Sequence, residues 1–348
     1  MQRTPLGSRH RITTAGFSIL AFLLLCGLSI ASMVIGGGDI GIPESIRFLL
    51  DGGGDSHLTM VMVDLRLPRT LVALLAGAAL GLAGCLLQSA TRNPLAETGL
   101  LGVNAGAALG VVAGITFLAT DGALAVLGFA LLGAFTASGA VLLIAAGSRA
   151  RLSPLRLILA GVALSATFRG LSSFILMSSA ATYDSYRFWV LGSLSGVTLE
   201  QVVWVGPALG VGVVITVLLT RPLGALGLGD DVASALGHSP KRTRAYTTIA
   251  VTLLTGAAVS LCGPIGFLGL LAPFAARALV GPRLGAQLAL SAVAGAAIMI
   301  VADLGARLVL APYEAPVSVL LAAVGGPLLI LIVRSSRMLS LRVPGGAA

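Results

Sequence analysis

Long apolar runs recur along this chain, and their repetition constrains the fold more than anything else in it. A run of roughly 18 or more apolar residues crosses about 30 Å of hydrocarbon as a helix. "LVALLAGAALGLAGCLL" at 71–87 is one such run. Ten apolar segments can be marked, at 15–35, 70–90, 98–117, 123–146, 156–177, 201–220, 244–262, 266–281, 286–309 and 316–334. The composition agrees, with 57% hydrophobic and 10% charged residues where a soluble domain carries about 25% charged. The runs are continuous, which excludes the alternating ten-residue strands of a membrane β-barrel. The expectation is an all-α polytopic membrane protein: one domain over 1–348 with ten transmembrane helices. The first run follows Arg3, Arg9 and Arg11 as in a signal peptide. It is too long for an h-region and no A-x-A site follows it, so a retained helix is expected. The eighth is short and holds Pro273, which predicts a kink or tilt.

Charge fixes an expected direction. With the N-terminus inside, 16 of the 22 basic residues fall in cytoplasmic segments. Five fall outside (Arg47, Arg66, Arg69, Arg187 and Arg307), and Arg169 lies within the fifth span. Both termini are therefore expected in the cytoplasm. The net charge of +9 then reports retained loops, and no nucleic-acid partner is expected. Arg66 and Arg69, in "LRLPRTL", and Arg307, in "ADLGARL", are left at the outer face against the usual rule. Long basic side chains there can snorkel to lipid headgroups or meet a partner.

Several chemistries lack their residues. The single lysine, Lys241, sits in "GHSPKRTR", which is not a G-x-x-x-x-G-K-[ST] phosphate loop. His10, His57 and His238 are far apart, and Cys26, Cys85 and Cys262 have no CxxC partner. No cofactor, metal site or enzymatic activity is expected. An ion-coupled carrier usually holds carboxylates inside the membrane; here they lie in loops or at span ends, Asp303 being the deepest. Uphill transport would then draw its energy from another subunit.

"RLPRTLVALLAGAALGLAGCLLQSATRNPLAETGLLGVNAGAALG", "RFWVLGSLSGVTLEQV", "LGLGDDVASALGHSPKRTR", "GPIGFLGLLAPFAARALVG", "ADLGARLVL" and "GGPLLILIVR" follow in that order. From about Leu65 to Arg337 the chain resembles the FecCD-type permease subunits of bacterial ATP-binding-cassette importers for iron–siderophore complexes and vitamin B12. Within that family it is most similar to the first of the two permeases that import ferric enterobactin. The resemblance implies ten helices arranged as an inverted pseudo-twofold repeat. It also implies a bacterial inner-membrane location, a second permease subunit, two cytoplasmic ATPase subunits and an extracytoplasmic siderophore-binding protein. Cobalamin or haem is the alternative cargo, and an ion-coupled secondary transporter the alternative class. Phe274 stands where the family usually has histidine, a departure that fits pairing with a non-identical permease.

The resemblance also suggests roles. Arg66, Arg69 and Arg307 would dock acidic residues of the binding protein, since arginine–carboxylate pairs set register as well as attraction. Residues 226–244 would form the coupling loop, with Leu226, Gly229, Asp230, Asp231, Ala235, Leu236 and Gly237 meeting the ATPase; the bland reading is a solvated loop. Asp230 or Asp231 can cap a short helix there, Val232, Ala235 and Leu236 give it an apolar face, and Gly237 stops it. Gln88, Asn93 and Pro94 mark an inner turn or gate; a polar residue in a span more often bonds a neighbouring helix. Arg169, mid-span, should face protein or water. It would bind an anionic chelate or pair with a carboxylate of the partner permease.

Overall fold

A computed structural model describes residues 14–36, 40–118, 122–146, 154–310 and 313–334. The basic residues at 3, 9, 11, 149, 151, 337 and 342, used in the orientation count, lie outside them. Among the described residues every regular element is helical. Each of the ten apolar segments is a helix: α1 Thr14–Val34, α4 Leu67–Thr91, α5 Val103–Leu118, α6 Ala123–Ala146, α7 Pro154–Leu176, α9 Leu199–Gly227, α11 Pro240–Cys262, α12 Leu268–Val280, α13 Leu284–Val309 and α14 Val317–Arg334. Among the described residues six helices are long and apolar enough to cross a membrane, and α1, α5, α12 and α14 supply shorter apolar stretches. Four short helices connect them: α2 Ile42–Asp51, α3 Ser56–Met60, α8 Ala180–Val190 and α10 Asp230–Ala235.

Local chemistry sets several boundaries. Thr198 and Gln201 form a capping box at the start of α9: Gln201 N–H donates to Thr198 Oγ1 at 3.3 Å, and Thr198 N–H to Gln201 Oε1 at 2.9 Å. That satisfies two of the amides a helix start leaves open. Ser239 caps α11, with Pro240 at the first helical position, where a missing N–H costs nothing. Pro68 lies in the first turn of α4, yet helix already precedes it. The chain is helical without a break from Ser56 to Thr91. A π-helical turn, Val61–Arg66, lies just before Pro68, and Leu67 N–H bonds Met62 O five residues back. A π turn inside a helix inserts an extra residue and re-aims its side chains.

The core forms around α4, which is buried along its length. It packs against α9, α11, α12 and α13. Small residues permit this. A Cβ on Gly77 would sit 2.6 Å from Gly295 O of α13, and one on Gly84 would overlap the Gly269 carbonyl of α12. Backbone-to-backbone packing of this kind holds helices together in lipid, where burial of apolar surface gives little drive. Elsewhere the outer helices carry large exposed apolar side chains, among them Leu143, Phe174, Leu218 and Leu331. Cys85 and Cys262 are buried packing residues without a disulfide.

Candidate functional site at the two ends of one helix

Arg69 and Arg92 stand at opposite ends of α4, separated by about 35 Å at 1.5 Å per residue. Each anchors a polar cluster.

At the Arg69 end, the sequence predicted arginines projecting as a docking surface. The three side chains are instead folded inward: Arg66, Arg69 and Arg307 are 5%, 8% and 1% exposed. Arg66 and Arg307 close the C-terminus of α1. Arg66 Nη1 donates to Met33 O at 2.9 Å, Val34 O at 3.1 Å and Ser45 Oγ at 2.8 Å. Arg307 Nη1 donates to Ser32 O at 2.7 Å and Ile35 O at 2.9 Å. These carbonyls have no partner within α1 and carry the negative end of its dipole, so a guanidinium is a fitting acceptor-seeking group. Arg69 reaches α13 and the loop after it. Its Nε donates to both Asp303 oxygens, at 2.9 and 3.1 Å, and Nη1 meets Glu314 at 2.6 Å. Arg307 also pairs with Asp303 one turn earlier in α13. Asp303, fully buried, is thus held between two guanidiniums.

A pocket of about 440 Å³ opens onto this cluster, lined by His57, Asp64, Arg66, Arg69, Arg307 and Glu314 among others. All three arginines line it. Glu314 also accepts from the Ser195 hydroxyl. Burial pushes its carboxyl up, but the Ser195 and Arg69 hydrogen bonds and the arginine charges outweigh burial and hold it below the ordinary carboxylate range.

At the Arg92 end lies α10. Gly229, not an aspartate, occupies the cap position, and no side-chain cap bond is made. Asp230 is spent elsewhere. Arg244 of α11 donates to both its oxygens, at 2.9 and 2.8 Å, and Arg92 Nη2 meets it at 2.6 Å. The Arg244 hydrogen bonds foremost, then the charges of Arg244 and the contacts of Arg92, keep the Asp230 carboxyl below its usual range despite partial burial. Arg92 also donates from Nε and Nη2 to Leu226 O, at 2.9 and 2.6 Å. Leu226 itself is fully buried, and so presents no side chain to a partner. Val232, Ala235 and Leu236 do form an exposed apolar face, with Leu236 59% exposed. Asp231 is exposed beside it. Gly237 ends the helix in the left-handed region, φ +81°, which glycine adopts without strain.

Of the inner-turn residues, Gln88 is buried and ties α4 to α12. Its Nε2 donates to Gly269 O at 3.3 Å, and its Oε1 accepts from Arg277 at 2.5 Å. Asn93 Oδ1 accepts the Leu95 amide at 2.9 Å, a local turn bond that places Pro94 at its corner. Arg169 is exposed on α7, a helix with little of its surface buried in this chain. Sequence reasoning missed Glu314, Arg92 and Arg244; the Asp303–Arg307 spacing of four on a helix was a readable signal. Among the described residues no cluster could hold a metal ion.

The FecCD transport family matches residues 22–335. The ferric enterobactin transport system permease protein FepD of Escherichia coli K12 is 42% identical, over 92% of this chain and 96% of that protein. The Fe(3+)-citrate import system permease protein YfmD of Bacillus subtilis 168 is 34% identical, over 95% and 97%. A solved inward-facing ABC transporter of metal-chelate type shares 29% identity and a TM-score of 0.81, over 92% of this chain and 99% of its own. With the family matched over nearly the whole chain and relatives of this identity, the chain is a multi-pass membrane permease of the FecCD transport family.

Proposed function

We propose that this chain is a permease subunit of an ATP-driven importer for ferric siderophores. The carrying observation is the pairing of two unlike surfaces at the ends of α4: an arginine-lined pocket at one, an exposed apolar helix at the other. The relatives transport ferric enterobactin and ferric citrate by name, which supports a ferric chelate as cargo.

In this reading both termini are cytoplasmic and the pocket faces outward. Acidic residues of a siderophore-binding protein enter it and meet Arg66, Arg69 and Arg307. The inward fold of the arginines refines the sequence expectation: the carboxylate comes to the guanidiniums. Electrostatic complementarity would speed encounter and select the partner. At the other end Val232, Ala235 and Leu236 lie in a groove of an ATPase subunit, as amphipathic helices do, with Asp231 and Gly237 at its edge. Gln88, Asn93 and Pro94 keep the inner turn rigid between them. A second permease covers α7, where Arg169 faces the path or that partner. An ion-coupled mechanism is disfavoured because Asp303, the deepest carboxylate, is held by two arginines.

Proteoliposomes holding the chain with its second permease and ATPase, and supplied with the binding protein, test this. Uptake of ferric enterobactin should require ATP and the binding protein. Uptake driven by a proton gradient without ATP would overturn the class. A preference for cobalamin or haem would overturn the cargo.

A further inference from the structure

The short helix α10 offers its apolar face to a partner, yet almost nothing apolar fastens it to the rest of the chain. Ala233 is its only buried residue. Its attachment is largely polar, and the Asp230 carboxylate ties it to two spanning helices. Asp230 takes two hydrogen bonds from Arg244, whose side chain is 5% exposed near the start of α11, and one from Arg92. Arg92 closes the C-terminus of α4 and also binds Leu226 O in the last turn of α9. Three spanning helices, α4, α9 and α11, therefore meet α10 through Asp230 and the two arginines.

Arg92 has an unusual backbone for this work. Its φ of +51° lies in the left-handed region, which disfavours any residue with a Cβ. Glycine would fit that turn better, so the guanidinium is what this position supplies. The turn aims it across the end of α4 at both Leu226 O and Asp230.

We propose that Asp230 is the joint through which displacement of α10 reaches α4 and α11, with Arg92 and Arg244 as the positioning residues that carry it. A charge-assisted bond network transmits a push in fixed directions, whereas a single buried alanine would let α10 slide. The inference rests on the reading of α10 as the ATPase contact. It changes the role of Asp230 from a residue that meets the ATPase to one that faces inward and moves the helices.

The test uses the assembled complex in proteoliposomes, with ferric enterobactin as the probe, and reads iron taken up per ATP hydrolysed. Arg92→Gly is the cleanest variant, because glycine suits the φ of that turn and only the guanidinium is lost. Asp230→Asn removes the charge at the joint. Each should lower uptake per ATP at least tenfold while the ATPase still co-purifies, and the double variant should be no worse than either single one. A merely structural role would reduce the amount of folded complex and leave uptake per ATP unchanged. Wild-type uptake per ATP in Arg92→Gly, or additive losses in the double variant, would overturn the proposal. Leu236→Asp separates it from the reading beneath it. If that variant keeps the ATPase bound and coupled, the contact reading itself fails; if it loses the ATPase while Arg92→Gly stays coupled, only the joint fails.

Discussion

Arg69 grips Asp303 across 234 residues of sequence, its Nε at 2.9 and 3.1 Å from the two carboxylate oxygens. This pair fastens α4 to α13 at the end of the bundle that bears the pocket. Because Arg307 leans on the same carboxylate, one acidic residue holds two buried cations.

Removing that acid should be severe. Asp303→Ala leaves Arg307 buried without its counter-charge and Arg69 with Glu314 alone, and removing one member of a buried ion pair costs about 3–5 kcal/mol. Thermal unfolding in detergent should show a large fall in midpoint or loss of folded protein. For the same reason, Arg69→Glu and Arg307→Glu would report folding before docking. The docking role is better read from the binding protein, by reversing its acidic residues and measuring its affinity for the intact complex.

Close packing along α4 makes a second expectation. A side chain at Gly77 would meet Gly295 O and Met299 Cβ at 2.6 and 2.8 Å, and both belong to a helix that cannot retreat without losing Asp303 from Arg69. Gly77→Val should cost about 1–3 kcal/mol or more through overpacking. Size-exclusion profiles of the solubilised protein would show this as loss of the monodisperse peak. Gly224→Ala has open space around it and should leave the profile unchanged.

Leu236→Asp should leave the chain's own fold intact, because the side chain is 59% exposed at the end of α10. It should abolish co-purification of the ATPase, since a charge would have to enter an apolar groove. Pull-down from membranes checks this.

Acid should loosen the joint at α10. The folded-state pKa of Asp230 is depressed, principally by Arg244. Its contribution is therefore full above the unfolded carboxylate value of about 3.9 and is lost as pH falls through the lower folded value. Thermal midpoints should drop on acidification into that range. Asp230→Asn should show a shallower acid limb than the wild type.

Much of the architecture was legible because apolar length in lipid is a strong constraint. Every marked segment coincides with a helix, although α9 runs seven residues past its expected end at 220, through Arg221 and Pro222. Short polar helices were harder. The signals of α2 were present in "GIPESIRFLLDG": Pro43 in the first turn, Glu44 after it and Gly52 in the left-handed region at the end. No long apolar run drew attention to them. The arginines show where local reading stops. Their type and span end are visible in sequence, but the carbonyls that hold Arg66 and Arg307 belong to α1, 32 and 275 residues away. Asp230 shows a local rule overridden. It had the composition of a cap, but two arginines brought by α4 and α11 offered its carboxylate stronger bonds than an open amide.

We propose that one helix, α4, links an outer docking pocket to an inner ATPase contact. The most direct test is the rate of ATP hydrolysis by the reconstituted complex when binding protein loaded with ferric enterobactin is added on the pocket side. A several-fold rise is expected, and it should disappear in Arg92→Gly. A hydrolysis rate indifferent to the loaded binding protein would contradict it.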